Sequence, residues 1–586
     1  DRDFIETWLT IDWNNRYHTQ PDIRDELKRH LSYWLEKPFQ AQELDEKLVE
    51  NTRKVLRRIP LHEQVYASIK LEAKEKYIDD YRFDTDLGGS IEQVFQRADY
   101  EIPRLYTFDG YDSVYKPASE EFIESLSEDN WVVGTRSGEL TDLDLATVQA
   151  KLEKQYLEDY IYHWSAAINQ LRLVPLGTME NNLEVMNALL SGQSPLREVL
   201  DAISTNTQLS ASMINPDEIK EQAQNATMVA RMAAPQLAKF TRLANMAARK
   251  KLANLPENPS SLVDKQFRPL HKMVEVTRSR PTQLDQLTES LVGLQIYLEG
   301  IAASGSMPEN AFEAATTRMK QTTNDPLGRM AIESRKLPQP VKRWVTSLLD
   351  QSWQLVLVQA KQLIVNEYRL SVKPFYDASL KSRYPLSKRA DAEVTLDDFG
   401  EFFKTGGIEQ NFFDQYLAAF IDTKHKPWRL KRVGNRTIGL SNKSLAQFEQ
   451  AAEIRRIFFA SGDEPIVQFS LRPLYLDANV SRFELDMLGE RMQYRHGPSQ
   501  KTKVSWPADQ LVSDIHFEFE DYYGARTGTK SDGVWSLFRF IDKHPLKRSS
   551  YSDSYKLTMT KDGKKAIYEV SANSAVNPFA KDYLGA

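Results

Sequence analysis

The chain contains no cysteine, although it is 586 residues long. This absence excludes disulfides, thiol nucleophiles, zinc–thiolate sites and iron–sulfur clusters. It also favours an oxidising compartment such as a bacterial periplasm, because unpaired cysteines can cross-link wrongly there. A cytosolic protein can lack cysteine too, so composition alone gives only a preference for the periplasm.

An excess of charge of one sign is also missing. The 76 Lys and Arg residues are balanced by 82 Asp and Glu residues, which gives a formal net charge of −6, and residues 461–586 carry equal numbers of both. Proteins that bind nucleic acid usually present a basic face or stripe. We therefore expect no nucleic acid among the partners of this chain.

Long apolar runs are equally scarce in the sequence. No stretch approaches the ~18 consecutive apolar residues that are typical of a membrane-spanning helix. The chain begins at Asp1, and no charged segment followed by an apolar stretch and a cleavage site marks a signal peptide. We expect this chain to be the soluble part of a longer protein.

The residue patterns of common enzymes do not occur. The nine His residues show no metal-site spacing, and HExxH, GxSxG and GxGxxG are all absent. Residues 524–531 do not match a phosphate-binding loop, because three residues instead of four separate the two glycines. We interpret this segment as a flexible basic hairpin loop. The carboxylates of Asp397 and Asp398 are better explained by a helix that Thr395 caps. We predict no catalytic site, metal or cofactor in this span, and no enzymatic activity.

Apolar residues recur at helical spacing before residue 460. Between residues 145 and 171, Leu152, Tyr156, Tyr160 and Trp164 follow steps of four, which predicts an amphipathic helix of about 27 residues. The predicted helices cover residues 4–13, 27–35, 44–59, 145–171, 183–203, 284–298, 341–368 and 445–459. Long helices with polar connections indicate stacked helical domains.

After residue 461 the pattern changes to alternation. Ile515, Phe517 and Phe519 alternate with polar residues, and Asp562-Gly563 between two alternating runs predicts a tight hairpin. Short strands at ~8–12-residue spacing indicate a β-sandwich. The predicted fold is multidomain α + β, with a long, mostly α-helical body followed by a C-terminal β-sandwich-like domain. The predicted domains are 1–210 (N-terminal helical), 211–340 (middle helical), 341–460 (helical, leading to the β-domain) and 461–586 (β-rich).

Several sequence blocks occur in a definite order along the chain. They are IPRLYTFDGYDSVYKPASEEFIESLSEDNWVVG (102–134), YLEDYIYHWSAAINQLRLVP (156–175), LLSGQSPLREVLDAISTNTQL (189–209), YPLSKRADAEVTLDDFGEFFKTGGIEQNFFDQYLAAFID (384–422), FSLRPLYLDANVSRFELDMLGERMQYRHGP (469–498) and SANSAVNPF (571–579). In this order the blocks resemble the extracytoplasmic region of the IcmF/TssM family, the inner-membrane core component of bacterial type VI secretion systems. The resemblance covers the chain from about residue 100 to 580.

The resemblance implies a periplasmic region of an inner-membrane protein, whose transmembrane helices and cytoplasmic NTPase-like domain belong to a preceding part outside this chain. It implies a structural trans-envelope scaffold or channel subunit of the type VI secretion membrane core complex. The implied partners are the outer-membrane lipoprotein TssJ through the β-rich domain, TssL through the preceding part, and further copies of the same subunit in a ring. Two alternatives stay open: a helical binding module of another secretion or motility system, and a periplasmic cell-wall hydrolase.

Aromatic and arginine side chains in the β-rich domain are the candidates for partner binding, because such residues dominate interface hot spots. The candidates are Tyr475, Tyr522, Tyr523, Arg526 and Trp535. For Trp535, which lies close to Leu537 and Phe538, an ordinary core position is the alternative. The motifs at 130–132 and 506–507 (Asn-Trp-Val and Trp-Pro) are interpreted as packing anchors.

Overall fold

A computed structural model provides the coordinates of the chain. The structure describes residues 2–18, 20–37, 45, 47–48, 51, 60–128, 142–210, 259–276, 281–303, 305–320, 325–508, 514–549, 554–573, 577–579 and 583–584. Most of the predicted helix at 44–59 and the whole motif at 130–132 lie outside the described residues.

Fifteen helices of eight residues or more are present in the described part of the chain. They are α1 (Arg2–Arg16), α2 (Pro21–Leu35), α3 (Leu61–Lys76), α4 (Lys116–Glu128), α5 (Asp142–Gln170), α6 (Met179–Leu190), α7 (Pro195–Thr207), α8 (Ser261–Val274), α9 (Gln283–Ala302), α10 (Met307–Lys320), α11 (Pro326–Glu333), α12 (Val341–Glu367), α13 (Leu396–Phe403), α14 (Asn442–Phe458) and α15 (Ser536–Lys543). Shorter α, 3₁₀ and π turns cover Phe83–Asp86, Ile91–Gln93, Arg104–Tyr106, Phe108–Gly110, Tyr111–Tyr115, Ser334–Lys336, Tyr368–Val372, Lys373–Phe375, Tyr376–Leu380, Ile408–Phe412 and Phe413–Leu417.

The described strands are concentrated at the C-terminal end of the chain. They are β1 (Phe95–Gln96), β2 (Arg172–Leu173), β3 (Ile421–Asp422), β4 (Arg429–Leu430), β5 (Val467–Leu476), β6 (Val480–Met487), β7 (Glu490–Tyr494), β8 (Thr502–Trp506), β9 (Ile515–Asp521), β10 (Arg526–Ser531), β11 (Lys547–Arg548), β12 (Ser554–Lys561) and β13 (Lys564–Ala572). The first four form two isolated two-stranded pairs, β1 with β2 and β3 with β4.

Tyrosines fill the core of the first of two compact units. This unit consists of residues 1–80, 103–162 and 209–263. Tyr156 on α5 is fully buried, and its hydroxyl donates to the backbone oxygen of Leu105 at 2.8 Å. The hydroxyl of Tyr66 donates to the carboxylate of Asp159 at 2.7 Å. Each of these buried hydroxyls therefore has the partner that burial of a polar group requires.

The second compact unit contains a helical part and the β-rich part. This unit consists of residues 81–102, 163–208 and 264–586. Its longest helix, α12, has 27 residues, which corresponds to about 40 Å at 1.5 Å per residue. Trp344 on α12 donates its indole N–H to the backbone oxygen of Leu171 at 3.1 Å. Asn182 and Ser352 form a fully buried hydrogen bond of 2.9 Å between α6 and α12.

Two antiparallel sheets form the β-domain and confirm the predicted fold class. One has the strand order β10-β9-β6-β7 and the other β11-β12-β13-β5-β8. In the first sheet Phe483 lies opposite Phe519 and Leu485 opposite Phe517, and all four side chains are fully buried. The ring of Phe483 lies 5.7 Å from that of Tyr568 in the second sheet. The alternating apolar residues therefore face a shared core between the sheets.

The local turn and cap predictions are confirmed. Asp562 and Gly563 have φ angles of 49° and 74° and connect β12 to β13, as a two-residue hairpin turn requires. The hydroxyl of Thr395 accepts the backbone N–H of Asp398 at 3.0 Å at the start of α13. The adjacent carboxylates at 397 and 398 therefore lie in the first turn of a capped helix, where negative charge is stabilised.

Two sequence predictions are wrong in detail. The single helix predicted at 183–203 consists of two, α6 and α7, because Gly192 follows the end of α6 and Pro195 begins α7. The hairpin loop predicted at 524–531 ends at Ala525, and the residues from Arg526 to Ser531 form β10, paired with β9. The predicted division into four consecutive domains stays a prediction.

A helix that crosses a membrane must be both long and largely apolar. Over the described residues, none combines sufficient length with sufficient apolar character to cross a bilayer.

Candidate functional site

Clusters of ionisable side chains are where reactive sites are usually found. Among the described residues, no group of three or more His, Asp or Glu side chains is placed to hold a metal ion. The site with the most exposed aromatic surface in the β-domain lies instead where its turns converge.

Three turns of the β-domain meet at one end of the sandwich, which we call the loop end. They cover residues 477–479, 522–525 and 562–563. The ammonium group of Lys564 lies 3.2 Å from the carboxylate of Asp521. The backbone N–H of Asp477 donates to the backbone oxygen of Lys565 at 3.0 Å. These contacts connect the three turns to each other, so the loop end is a single surface.

Asp521 holds the turn between β9 and β10. Its carboxylate oxygen Oδ1 accepts the backbone N–H groups of Tyr523 and Ala525, both at 2.9 Å. Gly524 in the same turn has φ of +83°, a conformation that other residues adopt only with strain. The backbone bond from Ala525, with Lys564 nearby, holds the pKa of Asp521 below its usual value. The turn is therefore fixed by an ionised carboxylate.

All three predicted partner-binding tyrosines lie at the loop end and remain accessible. Tyr523 is 98% exposed and Tyr522 is 67% exposed. Tyr475, at the end of β5, is 45% exposed, and its hydroxyl donates to Asp477 at 2.7 Å. That hydrogen bond raises the pKa of Tyr475 above its usual value. Exposed rings on turns held by hydrogen bonds can contact a partner with little loss of conformational entropy.

Arg526 follows the same turn at the beginning of β10. Its Nε atom lies 3.2 Å from a carboxylate oxygen of Glu520 and 3.6 Å from one of Glu518, on the neighbouring strand β9. The side chain is more than half exposed. Its charge is thus shared with two carboxylates, and in the chain it directly follows the turn that carries Tyr522 and Tyr523.

Trp535 lies in the core, so the ordinary core position is right for it and the interpretation as a partner-binding anchor is wrong. The side chain is fully buried, and its indole N–H donates to the backbone oxygen of Val394 at 2.7 Å. Its ring lies 4.8 Å from that of Trp506, which is also fully buried and donates to the backbone oxygen of Val534. Trp506 therefore has the packing role predicted for it.

Trp535 also belongs to a contact region between helical and β-rich segments that the sequence did not reveal. We call it the polar joint: Tyr384, Glu393, Trp535, Arg539 and Asp542. The guanidinium of Arg539 donates to Glu393 at 2.7 Å and lies 4.0 Å from the ring centre of Tyr384. The hydroxyl of Tyr384 donates to the carboxylate of Asp542 at 2.9 Å. These bonds fix the segment before α13 onto α15 of the β-domain.

The joint residues were missed because their partners lie far apart in sequence. The Arg539–Glu393 pair spans 146 positions and the Tyr384–Asp542 pair spans 158. Tyr384 and Glu393 do fall within the block at 384–422, but no local pattern connects that block to residues 535–542. Only a fold brings the two segments together.

Three family models match the chain in order. An IcmF-related model (intracellular multiplication and human macrophage-killing) matches residues 1–208. The helical domain of type VI secretion protein IcmF matches residues 359–464, and its C2-like domain matches residues 469–574. The last two matches meet within the second compact unit, close to the start of the β-domain.

Curated and solved relatives show the same similarity. The chain is 27% identical over 592 residues to the type VI secretion system component TssM1 of Pseudomonas aeruginosa PAO1, with 99% of this chain and 52% of that protein aligned. The chain thus spans about half the length of this relative. Two solved structures, a type VI secretion system membrane core complex and a type VI membrane complex, match its fold with TM-scores of 0.60 and 0.63. Their identities are 16% and 15%, and each match covers 89% of this chain and 96% of the solved chain.

Proposed function

We propose that the chain is a member of the IcmF/TssM family and forms a structural part of a type VI secretion membrane core complex. The observation that carries the proposal is the ordered match of three IcmF models over 1–208, 359–464 and 469–574. Alignment of TssM1 with 99% of the chain supports it. Because the chain spans about half of that relative, the proposal concerns the role of this region within a longer subunit.

The proposed role is mechanical and non-enzymatic. A scaffold has to hold separate partners at a defined spacing, and this requires long rigid elements with firm connections. Helix α12 supplies about 40 Å of length. The polar joint connects the β-domain to the helical part through an ion pair at 2.7 Å and a fully buried tryptophan. Charge-assisted hydrogen bonds of this kind are about twice as strong as neutral ones.

We place this region in the periplasm, as part of an inner-membrane protein. The absence of cysteine agrees with an oxidising compartment. The proposed partners are TssL, through the inner-membrane part outside this chain, further copies of the subunit in a ring, and the outer-membrane lipoprotein TssJ. A cyclic assembly of identical subunits needs two different complementary faces on each copy.

The loop end is the proposed contact for TssJ. It presents Tyr522 and Tyr523 on a turn that Asp521 holds, with Tyr475 and Arg526 close by. Tyrosine and arginine are enriched among residues that contribute most to binding. Since the turn is already ordered, binding does not have to offset the entropy of ordering it.

The test uses the chain of residues 1–586 and purified cognate TssJ without its lipid. Titration by surface plasmon resonance should give saturable binding, and the double variant Tyr522→Ser/Tyr523→Ser should weaken it at least tenfold, because removal of a hot-spot aromatic costs about 2 kcal/mol or more. The matched control is Tyr33→Ser, which removes a similarly exposed tyrosine from the first compact unit. If the folded chain does not bind TssJ at all, the proposal that TssJ is a partner is wrong. If the double variant binds TssJ as tightly as the wild type, only the proposal that the loop end is the contact surface is wrong.

A further inference from the structure

The hairpin that includes β3 and β4 concentrates basic side chains. The segment from 424 to 436 reads KHKPWRLKRVGNR and contains no acidic residue. Two of its cations are neutralised within the fold, since Lys426 pairs with Glu453 and Arg436 pairs with Asp350. The remaining positive charge stands out in a protein whose formal net charge is −6.

This positive charge surrounds an open pocket of about 400 Å³ in the second compact unit. We call it the basic pocket. Its ionisable lining residues are Asp422, His425, Arg429, Lys431 and Arg432, and Met319 of α10 contributes apolar surface. A volume of this size lies within the range of small-molecule sites, about 300–1,000 Å³. The basic pocket is therefore large enough for a small ligand or a headgroup.

The cations of the basic pocket are available to a ligand. Arg429 and Arg432 are exposed, and neither forms an ion pair with any residue that the structure describes. The ammonium group of Lys431 donates to the backbone oxygens of Ala418 and Ala419 at 3.3 and 3.1 Å, so it is held in place without being neutralised. Three permanently charged residues thus line one opening.

The single carboxylate of the pocket is already engaged. One oxygen of Asp422 accepts the backbone N–H of Lys424 at 3.0 Å, and the other lies 2.8 Å from Nδ1 of His425. The backbone bond, followed by the histidine, holds the pKa of Asp422 below its usual value. The carboxylate therefore remains charged, and it offsets only one of the three permanent cations.

We propose that the basic pocket binds a phosphate-bearing anion. The surplus of about two positive charges suits a phosphate dianion better than a single carboxylate. The planar guanidinium groups of Arg429 and Arg432 have the donor geometry that pairs with two oxygens of one phosphate. Such a group could be supplied by a soluble phosphate compound or by the headgroup of a phospholipid, and the two sources share this chemistry.

Two measurements on the chain of residues 1–586 distinguish the sources. The first is calorimetric titration with sodium pyrophosphate at low ionic strength. The second is co-sedimentation with phosphatidylglycerol vesicles, with phosphatidylcholine vesicles as the uncharged reference. The variant Arg429→Gln/Arg432→Gln should weaken binding at least tenfold in the assay where the wild type binds. Each single variant should have an intermediate effect, and thermal unfolding of each should match the wild type because both side chains are exposed.

The matched control removes the same charge elsewhere. Arg369→Gln/Arg495→Gln replaces two exposed arginines outside the pocket and should leave binding unchanged. Arginine-dependent pyrophosphate binding without vesicle binding supports a soluble phosphate ligand, and arginine-dependent vesicle binding supports a lipid headgroup. Absence of binding in both assays, or an equal loss in the control, overturns the proposal.

Discussion

The Nε atom of Arg539 donates to the carboxylate oxygen Oε1 of Glu393 at a distance of 2.7 Å. Both side chains are largely buried, and the same carboxylate accepts the backbone N–H of Trp535 at 3.4 Å. One carboxylate therefore ties both the start of α15 and a residue inside it to the segment that precedes α13. We regard this pair as the centre of the polar joint.

Removal of this carboxylate should loosen α15. In Glu393→Ala the guanidinium of Arg539 loses its ion pair, although it keeps contacts with the ring of Tyr384 and with backbone oxygens. A lost hydrogen bond to a charged group costs about 1.5–3 kcal/mol. Backbone amides of residues 536–543 should therefore exchange with deuterium about tenfold faster or more, as measured by mass spectrometry.

The control for this experiment is Glu401→Ala. Glu401 forms an exposed ion pair with Lys404 one turn away on the chain, and such surface pairs contribute about 0–1 kcal/mol. Exchange in α15 should match the wild type in this variant. Equal protection of α15 in Glu393→Ala and in the wild type would show that the joint does not depend on this carboxylate.

Most of the architecture was predictable because it depends on local patterns. Apolar residues at steps of three and four mark α5 and α12, and strict alternation marks β9, since each period follows from backbone geometry alone. Asp562 and Gly563 identify their hairpin because few other residues accept positive φ angles. The break between α6 and α7 was missed because apolar residues keep a helical period on both sides of Gly192.

The candidate site was predictable only in part. Tyr522 and Tyr523 precede Gly524, so a turn with exposed rings could be predicted from the three residues together. For Trp535, the neighbours Leu537 and Phe538 favoured a core position in the sequence, but they did not identify the residues that it packs against. Its burial depends on Val394, 141 positions earlier in the chain. The basic pocket could not be predicted, because a run of basic residues in the sequence does not show that these residues line a common opening.

Glu409 should make stability depend on pH near neutrality. It is buried on the turn after α13 and pairs with Arg455, and burial, which outweighs the attraction of the guanidinium, raises the pKa of Glu409 to about 7. In an unfolded chain a glutamate has a pKa of about 4.3. The folded protein thus retains a proton that the unfolded protein releases between these values. The contribution to stability should fall as the pH rises through this range, by up to about 1.4 kcal/mol per pH unit.

Urea unfolding followed by circular dichroism at pH 5, 6 and 7 measures this dependence. Glu409→Gln cannot ionise, so the difference between its midpoints at pH 5 and 7 should be smaller than in the wild type. Glu401→Gln, an exposed substitution, should retain the dependence of the wild type. Identical pH profiles for the wild type and Glu409→Gln would refute the raised pKa.

Asp521 should act in the opposite direction at acid pH. The pKa of Asp521 is lowered in the folded protein, whereas an aspartate in an unfolded chain has a pKa of about 3.9. The stabilisation by its ionised carboxylate is therefore fully present above pH 3.9 and is lost as the pH falls through the lowered pKa of the folded protein. Asp521→Ala should therefore lower the melting temperature more at pH 6 than at pH 3.5. Asp463→Ala, which removes an exposed carboxylate, should change the melting temperature by the same amount at both pH values. A cost of Asp521→Ala that does not change with pH would contradict the role of its charge.

Gly110 should tolerate no side chain. A Cβ atom at this position would lie 2.0 Å from the backbone oxygen of Arg104 and 2.7 Å from the Cα atom of Leu105, and backbone atoms cannot rotate away as a flexible side chain can. Gly110→Ala should destabilise the first compact unit by about 3 kcal/mol or more, the upper part of the range for overpacked sites. Gly89→Ala is the control, because its Cβ would meet nothing within 4 Å. Urea unfolding followed by hydrogen exchange in α3 and α5 should show early loss of protection only in Gly110→Ala, and equal protection in both variants would rule out the close approach.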